Sequence, residues 1–489
     1  MSETRHISTI TQDYLEQILE NGSLQEFLEN FREQNGSPEY VITSLPFDSI
    51  DPLAVLETMG KPGEFQYFWE HPRQDFAISA GEAVHIIREY GAQRFDKTGS
   101  KVEEIKQRSA TFSRIPHSMS GMNLFGGASF FDKPLSGVWS SFGNSSFVLP
   151  KWTIIRDGKF AMVTFVLPFD KTETFEQFIY KLTEEIEQFV NSVSRKLEQS
   201  DIINGNQYSQ LAVESFNTEK SRQRWLQNVD HAKDLIEQNV FEKIVMAREE
   251  RVTTDRQANA TKLLHHLRIE YPDCYSFLYQ VNDQAAFVGC TPEKLLSVES
   301  ERLYTDGLAG SISRGKTATQ DEILGRKLLN SGKDLREHQF VVDSILEKLE
   351  YYSSDIDVPE HPGIRKFANV QHLHTPITAS LHKSIDILAL LKKMHPTPAV
   401  GGYPQDQALP YIQQLEQIER GWYAGPIGWI NENGRSDFAV AIRSGLIQPN
   451  KVRFYAGCGI VKGSDPEAEW RETELKLVPM LNALRHAAE

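Results

Sequence analysis

Glu469, Glu472 and Lys476 in the run PEAEWRETELKL stand at i, i+3 and i+7, which puts all three on one face of a helix. A solvated face with a salt-bridged lysine has the same spacing. The approach argues for more, because CGIVKG is an apolar, glycine-rich strand end that delivers the helix into the interior. Ser464 or Asp465 can cap that helix, and Pro466 suits its first turn. A second acidic pair, Asp334 and Glu337 in KDLREH, lies three apart at the head of another helix. Carboxylates from two helices could hold a hard divalent cation. Mg²⁺ is the natural choice, with water and substrate oxygens completing its shell.

Other residues stand out singly. Arg443 sits in the apolar strand AVAIRSGLI, where a buried cation needs an anionic partner. Lys243 opens the strand KIVMAR, a position that is solvent-exposed in most proteins. Glu293 follows Thr-Pro in GCTPEKLL and reads as a first-turn acid at a helix start, favoured by the helix dipole. His372 (QHLHT) and His395 (HPTPAV) read as hydrogen-bonded structural histidines. The stretch 456–459, Ala-Gly-Cys-Gly, lacks the Lys-Ser/Thr of a P-loop and the spacing of a dinucleotide site. Its glycines would instead let backbone N–H groups approach a carboxylate closely.

The elements that must position these groups are legible in outline. Residues 15–31 and 51–59 read as helical pieces. From residue 125 onward, β-branched and aromatic runs broken by Gly, Asn and Pro read as strands and hairpins, with Asp157-Gly158 as one turn. Apolar residues at three- and four-residue steps between 175 and 197, with Thr174 and Gln177 as a capping box, predict a helix. The polar stretch 199–215 is the best linker candidate. Beyond it strands (SFLYQV, AAFVGC, AVAIRSGLI, VRFYAGCGIV) alternate with helices over 321–329, 337–351, 406–420 and 466–484. That alternation predicts an α+β fold with sizeable antiparallel sheets.

Composition sets the outer bounds. The 489 residues carry 52 Lys plus Arg against 67 Asp plus Glu, a net charge of −15, which argues against a nucleic-acid partner. Three cysteines, with no CxxC spacing, suit reduced thiols in the cytoplasm. The most apolar window, 160–169, is about half a membrane span and reads as a buried strand, so no membrane partner is expected.

Read together, these segments resemble the chorismate-utilising enzymes: isochorismate, anthranilate, aminodeoxychorismate and salicylate synthases. The resemblance covers about residues 225–484. It runs in order through KIVMAR, GCTPEKLL, LAGSISRG, KDLREHQFVV, QHLHT, MHPTPAVGG, ERGWYAGPIGW, AIRSGL and AGCGIVKGSDPEAEWRETELK. The length of the chain, with FGGASFFD and FVLPKW upstream, resembles the longer isochorismate synthases of menaquinone biosynthesis. Aminodeoxychorismate synthases carry a nucleophilic lysine where this chain has Ala309-Gly310-Ser311. Salicylate synthases resemble HPTPTVTG, whereas Ala399 stands here in HPTPAVGG. The tryptophan-site motif usual in anthranilate synthases is not found. Salicylate synthase, anthranilate synthase and an inactive partner-binding relative stay open as alternatives, in that order.

The resemblance implies an anthranilate/aminodeoxychorismate-synthase-like fold, two large antiparallel sheets packed around a core with helices outside. Residues 1–215 would contribute strands to the shared core, and 216–489 would form the chorismate-binding catalytic part of one intertwined unit. By the same resemblance Lys243 is the general base and Glu293 the general acid. Glu337 and Glu472 ligate Mg²⁺, with Asp334 and Glu469 in or near a second shell. Ala309, Gly310, Ser311, His372, Thr397, Ala399, Tyr423, Arg443, Gly457, Gly459 and Lys476 form the chorismate site. No glutaminase subunit is implied, and the oligomeric state stays open.

Overall fold

Two long antiparallel strands, Phe76–Glu89 and Ser145–Asp157, organise the molecule. The chain is described here from a computed structural model covering residues 9–20, 22–200, 211–215, 219–368, 370–382 and 385–487. One edge of Ser145–Asp157 is taken by Phe76–Glu89 along its length. The other edge is divided. Asn123–Ala128 pairs with its start, through Phe125 and Val148, and Phe160–Pro168 pairs with its end, through Trp152 and Phe165. The strand therefore passes from one sheet into the other.

From its end the first sheet runs outward through Phe160–Pro168 to Tyr40–Pro46. Across Phe76–Glu89 the same sheet continues through Gln66–His71, Tyr275–Gln280, Ala286–Thr291, Ser444–Gln448, Lys451–Val461 and Lys243–Thr254. From its start the second sheet runs through Asn123–Ala128, Pro426–Asn431, Ser436–Val440, Lys294–Glu299, Arg302–Ser313 and Val370–Leu381. The two expected sheets are thus joined. Among the described residues 21 strands link into one hydrogen-bonded network, antiparallel except where Tyr40–Pro46 meets Ser109–Phe112.

Two apolar cores lie against this network. One gathers Trp69, Trp139, Trp422 and Trp429. The other packs Trp152 and Phe165 against Phe178, Ile186 and Phe189 of the helix Phe175–Ser200. Each fully buried large apolar side chain stabilises by about 1.5–3 kcal/mol. The same helix carries the expected capping box. Gln177 N–H donates to Thr174 Oγ1 at 3.2 Å, and Thr174 N–H donates to Gln177 Oε1 at 2.9 Å. The Asp157-Gly158 turn is present, with Gly158 at φ 60°.

Several local expectations are corrected. The piece over 15–31 is two helices, Thr9–Glu20 and Ser23–Asn35, because Gly22 between them is left-handed at φ 60°. The stretch GCTPEKLL starts no helix. Pro292 and Glu293 break the chain between two apolar strands, Ala286–Thr291 and Lys294–Glu299. AVAIRSGLI is interrupted too, with Arg443 at φ 50° between Ser436–Val440 and Ser444–Gln448. The helix over 406–420 ends at Glu416, where Gln417 turns left-handed, and the helix over 337–351 already begins at Gly332. Of the linker 199–215, residues 201–210 lie outside the described residues, while Val213–Ser215 pairs with the far end of the Lys243 strand. Among the described residues no helix is long and apolar enough to cross a membrane.

Candidate active site

The helix Pro466–Arg485 starts where the sequence leads one to expect. Asp465 caps it by accepting the Ala468 N–H at 2.8 Å, and Pro466 occupies its first turn. Glu472 and Lys476 pair at 2.6 Å one turn apart, and Lys476 Nζ also donates to Gly457 O at 2.8 Å. The helix is thereby fixed to the neighbouring strand Lys451–Val461. Glu337 comes from a second helix, Gly332–Leu349, capped by Ser331, which accepts the Asp334 N–H at 3.3 Å.

Lys243 is not on the surface. It is 1% exposed, and its Nζ donates to Glu337 Oε1 at 2.7 Å. The register explains the burial: Lys243 pairs with Val461 on one side and with Tyr403 on the other. Gly459 leaves the space this pair needs. A Cβ there would come 2.8 Å from Lys243 Cε and 3.3 Å from Glu337 Oε1. At Gly457 an added Cβ would come 2.7 Å from Met246 O and 3.3 Å from the Tyr423 hydroxyl.

These groups face one cavity, about 880 Å³ with its open mouth included. Its wall includes Lys243, Glu293, Glu337, Glu472, Lys476, Arg443, Tyr423, His372, Ala399, Gly457, Gly459 and the run Ala309, Gly310, Ser311. A β-bulge between Ala309 and Ser311, with Gly310 at φ 73°, turns that run toward the cavity. Three expected residues are not on the wall. Thr397 stands behind it, its Oγ1 donating to Glu293 Oε1 at 3.4 Å. The Asp334 carboxylate takes a hydrogen bond from the Ser331 hydroxyl at the helix cap. Glu469 is buried beside Ser464 and Cys458.

Burial pushes the Glu293 carboxyl up to about 7, against the opposing pull of Thr397 and the charges of Lys243 and Lys476. The other two carboxylates of the cavity wall go the other way. Burial raises Glu337, but Lys243, by charge and hydrogen bond, outweighs it and holds the group below the usual carboxylate range. Lys476 is the main cause that holds Glu472 down. Burial, then the like charge of Glu472, raises Glu469. Burial together with Arg443 and Lys476 lowers His372 to about 3, so its ring is neutral at physiological pH. Ser311 Oγ lies 2.9 Å from its Nδ1, while its buried Nε2 has no partner among the described residues. His395 is likewise neutral, lowered to about 3 by burial, and packs edge-on against Phe130.

Arg443 carries the electrostatic signal. It donates to Lys476 O at 3.0 Å, yet among the described residues no carboxylate lies within ion-pairing distance of it. A half-buried guanidinium with donors to spare is a receptor for an anion. Arg420, Tyr455 and Cys458 also line the cavity and were not anticipated. For Arg420 a signal existed in its i, i+4 spacing to Glu416, with which it forms a buried ion pair at 2.9 Å.

The donor set fits a hard cation. Glu337 and Glu472 offer only oxygen, repel one another, and are each balanced by a lysine. Among the described residues no three His, Cys, Asp or Glu gather into a metal cage. One or two carboxylates supplemented by water and substrate oxygens is the usual Mg²⁺ arrangement.

The sequence profile of the chorismate binding enzymes matches residues 25–485. A Pseudomonas aeruginosa protein named salicylate biosynthesis isochorismate synthase is 34% identical over 450 residues, which is 91% of this chain and 90% of its own. The Bacillus subtilis isochorismate synthase MenF is 32% identical over 449 residues, 90% of this chain and 92% of its own. Among solved structures, MenF of Escherichia coli, described as a menaquinone-specific isochorismate synthase, superposes with a TM-score of 0.74. It is 25% identical, and the match covers 94% of this chain and 100% of that one.

Proposed function

The chain belongs to the family of chorismate binding enzymes, and from that premise we propose that it is an isochorismate synthase, a hydroxymutase-type isomerase. Chorismate would take up water at ring C2 and lose its C4 hydroxyl as the ring double bonds shift, reversibly. Water is a poor nucleophile and hydroxide a poor leaving group, so the reaction needs a base and an acid in one site. Each typically contributes about 10²–10⁴-fold.

The observation that carries this reading is the sharing of one cavity by Lys243 and a Glu293 carboxyl raised to about 7. Glu293 would hand its proton to the departing C4 oxygen, with Thr397 Oγ1 fixing the carboxyl in place. Lys243 Nζ, as the neutral amine, would take the proton of the attacking water, and Glu337 would stabilise the ammonium that results. The free donors of Arg443, with Tyr423 and the backbone amides near Gly457 and Gly459, would hold the enolpyruvyl carboxylate. Lys476 adds positive charge. Ala399 and Ala309 keep the wall small, leaving room for water. Glu337 and Glu472 would hold Mg²⁺, with Asp334 and Glu469 behind them; when bound, the metal supplies positive charge for the ring carboxylate.

We place the product in menaquinone formation, in the cytoplasm. The relatives named MenF support that consumer. The relative named for salicylate biosynthesis spans this chain equally well, so the long N-terminal half is not itself the reason. Buried free cysteines suit a reducing compartment. The test is purified protein with chorismate and Mg²⁺, products resolved by chromatography, beside an EDTA control. Isochorismate with little pyruvate, and nothing in EDTA, is the expected result. Salicylate with stoichiometric pyruvate would move the chain to the salicylate synthases. A requirement for ammonia would move it to the anthranilate branch.

A further inference from the structure

The segment over residues 394–405 touches both groups assigned to proton transfer. Thr397 Oγ1 donates to Glu293 Oε1 at 3.4 Å, while Tyr403 and Gly402 pair with Lys243 and Ile244. Ala399 and Val400, between these contacts, are part of the cavity wall. The segment has little regular structure of its own, since Gly402–Tyr403 is a strand of two residues. Its internal ties are the Val400 and Gly401 N–H groups, both donating to Thr397 O, at 3.1 and 2.9 Å. From outside, the Val245 N–H donates to Gly401 O at 3.0 Å, the Glu242 N–H to Tyr403 O at 2.9 Å and Arg420 Nη1 to Val400 O at 2.9 Å, but none of these ties one end of the segment to the other.

Lys348, in the last turn of the helix Gly332–Leu349 whose first turns carry Glu337, bonds to both ends of the segment. Lys348 Nζ donates to Met394 O at 3.3 Å, to Pro396 O at 2.9 Å and to Gln405 Oε1 at 2.9 Å. All three ammonium hydrogens are used. The acceptors come from both ends of the segment, so a single atom closes it into a loop. Among the described residues no carboxylate lies within ion-pairing distance of Lys348, so the half-buried charge is not there to make a salt bridge. Lys348 is absent from the cavity wall and reaches the reacting groups only through the segment it holds.

We propose that Lys348 is a positioning residue: its ammonium closes the 394–405 segment and so fixes the Glu293 carboxyl relative to Lys243. The proposal rests on the functional reading above for its catalytic consequence, but the clamp itself does not. The variant Lys348→Met keeps the stem length and removes the donors. Lys348→Arg restores a cation with several donors. Gln405→Leu removes one acceptor and is the milder variant should the first fail to fold.

Two readouts are taken on the full chain. With chorismate and Mg²⁺, Lys348→Met is expected to lower kcat by about 10–100-fold with KM held within about twofold, since misplacing a reacting group by an ångström costs on that order. Gln405→Leu should lose less, and Lys348→Arg should recover part of the rate. By hydrogen exchange, the Val400 and Gly401 amides should exchange faster in Lys348→Met while amides of the helix over 332–349 keep their protection. An unchanged kcat in folded Lys348→Met would overturn the proposal. So would a loss that Arg does not relieve and that comes with faster exchange throughout the chain. If the wild-type chain turned over no chorismate, the functional reading would fail alone, and exchange at Val400 and Gly401 would still decide whether Lys348 holds the segment.

Discussion

Lys243 Nζ meets Glu337 Oε1 at 2.7 Å in the space left by the missing side chain of Gly459. The two partners come from a strand and a helix, and the glycine comes from the strand beside the first. Three elements remote in sequence therefore meet at one ion pair, and disturbing any of them displaces the proposed base.

The sharpest test of that relationship is Gly459→Ala. Its Cβ would come 2.8 Å from Lys243 Cε, closer than ordinary contacts allow, so the lysine must move. Overpacking of this type costs about 1–3 kcal/mol of stability, which thermal unfolding would register. The rate should suffer more, by about 10²-fold if Lys243 Nζ shifts by an ångström. A variant with wild-type kcat would show that the position of Lys243 does not limit the reaction.

Glu293 supplies a pH dependence with a definite sign. Its carboxyl is raised to about 7, and the proposed acid works only when protonated. The limb set by this acid is a fall in kcat as pH rises through about 7. Glu293→Gln should lose about 10²–10⁴-fold in kcat and should abolish that alkaline limb. A limb that persists in the Gln variant would assign it to another group.

The carboxylate pair predicts a cation requirement. Activity should vanish in EDTA and return with Mg²⁺. Glu472→Gln should raise the Mg²⁺ concentration needed by about tenfold or more, a loss of ~1.4 kcal/mol or more in cation binding. Calorimetric titration with Mg²⁺ alone reads the same loss without turnover. Unchanged Mg²⁺ binding would remove Glu472 from the ligand set.

What could be read from the residues alone divides along locality. The helix over 175–197 was legible because its periodicity and its Thr174–Gln177 box are contained in one stretch. The face shared by Glu472 and Lys476 was legible for the same reason, and the two do pair. Glu293 was misplaced at a helix start because Thr-Pro-Glu has the composition of a first helical turn. Whether Pro292 opens a helix or breaks two strands depends on pairing with 436–440 and 444–448, remote in sequence. The burial of Lys243 is invisible locally too, since Tyr403 and Val461 enclose it. Arg443 drew attention as a cation among apolar neighbours, but its left-handed backbone, which splits the strand, has no local signature.

Strands from the two sides of residue 215 pair with one another. Gln66–His71 pairs with Tyr275–Gln280, and Asn123–Ala128 pairs with Pro426–Asn431. Removing residues 1–210 would strip a neighbour from one strand of each sheet, leaving long unpaired edges, and such edges template aggregation. It would also uncover apolar side chains now packed against Tyr67, Trp69 and Phe125. The fragment should therefore be insoluble or aggregate on refolding, even though every residue assigned to the chemistry remains in it. Sedimentation and circular dichroism of the purified fragment decide the matter. A soluble, cooperatively folded fragment would mean that the catalytic part carries its own core and that the strands before residue 215 are an addition to it.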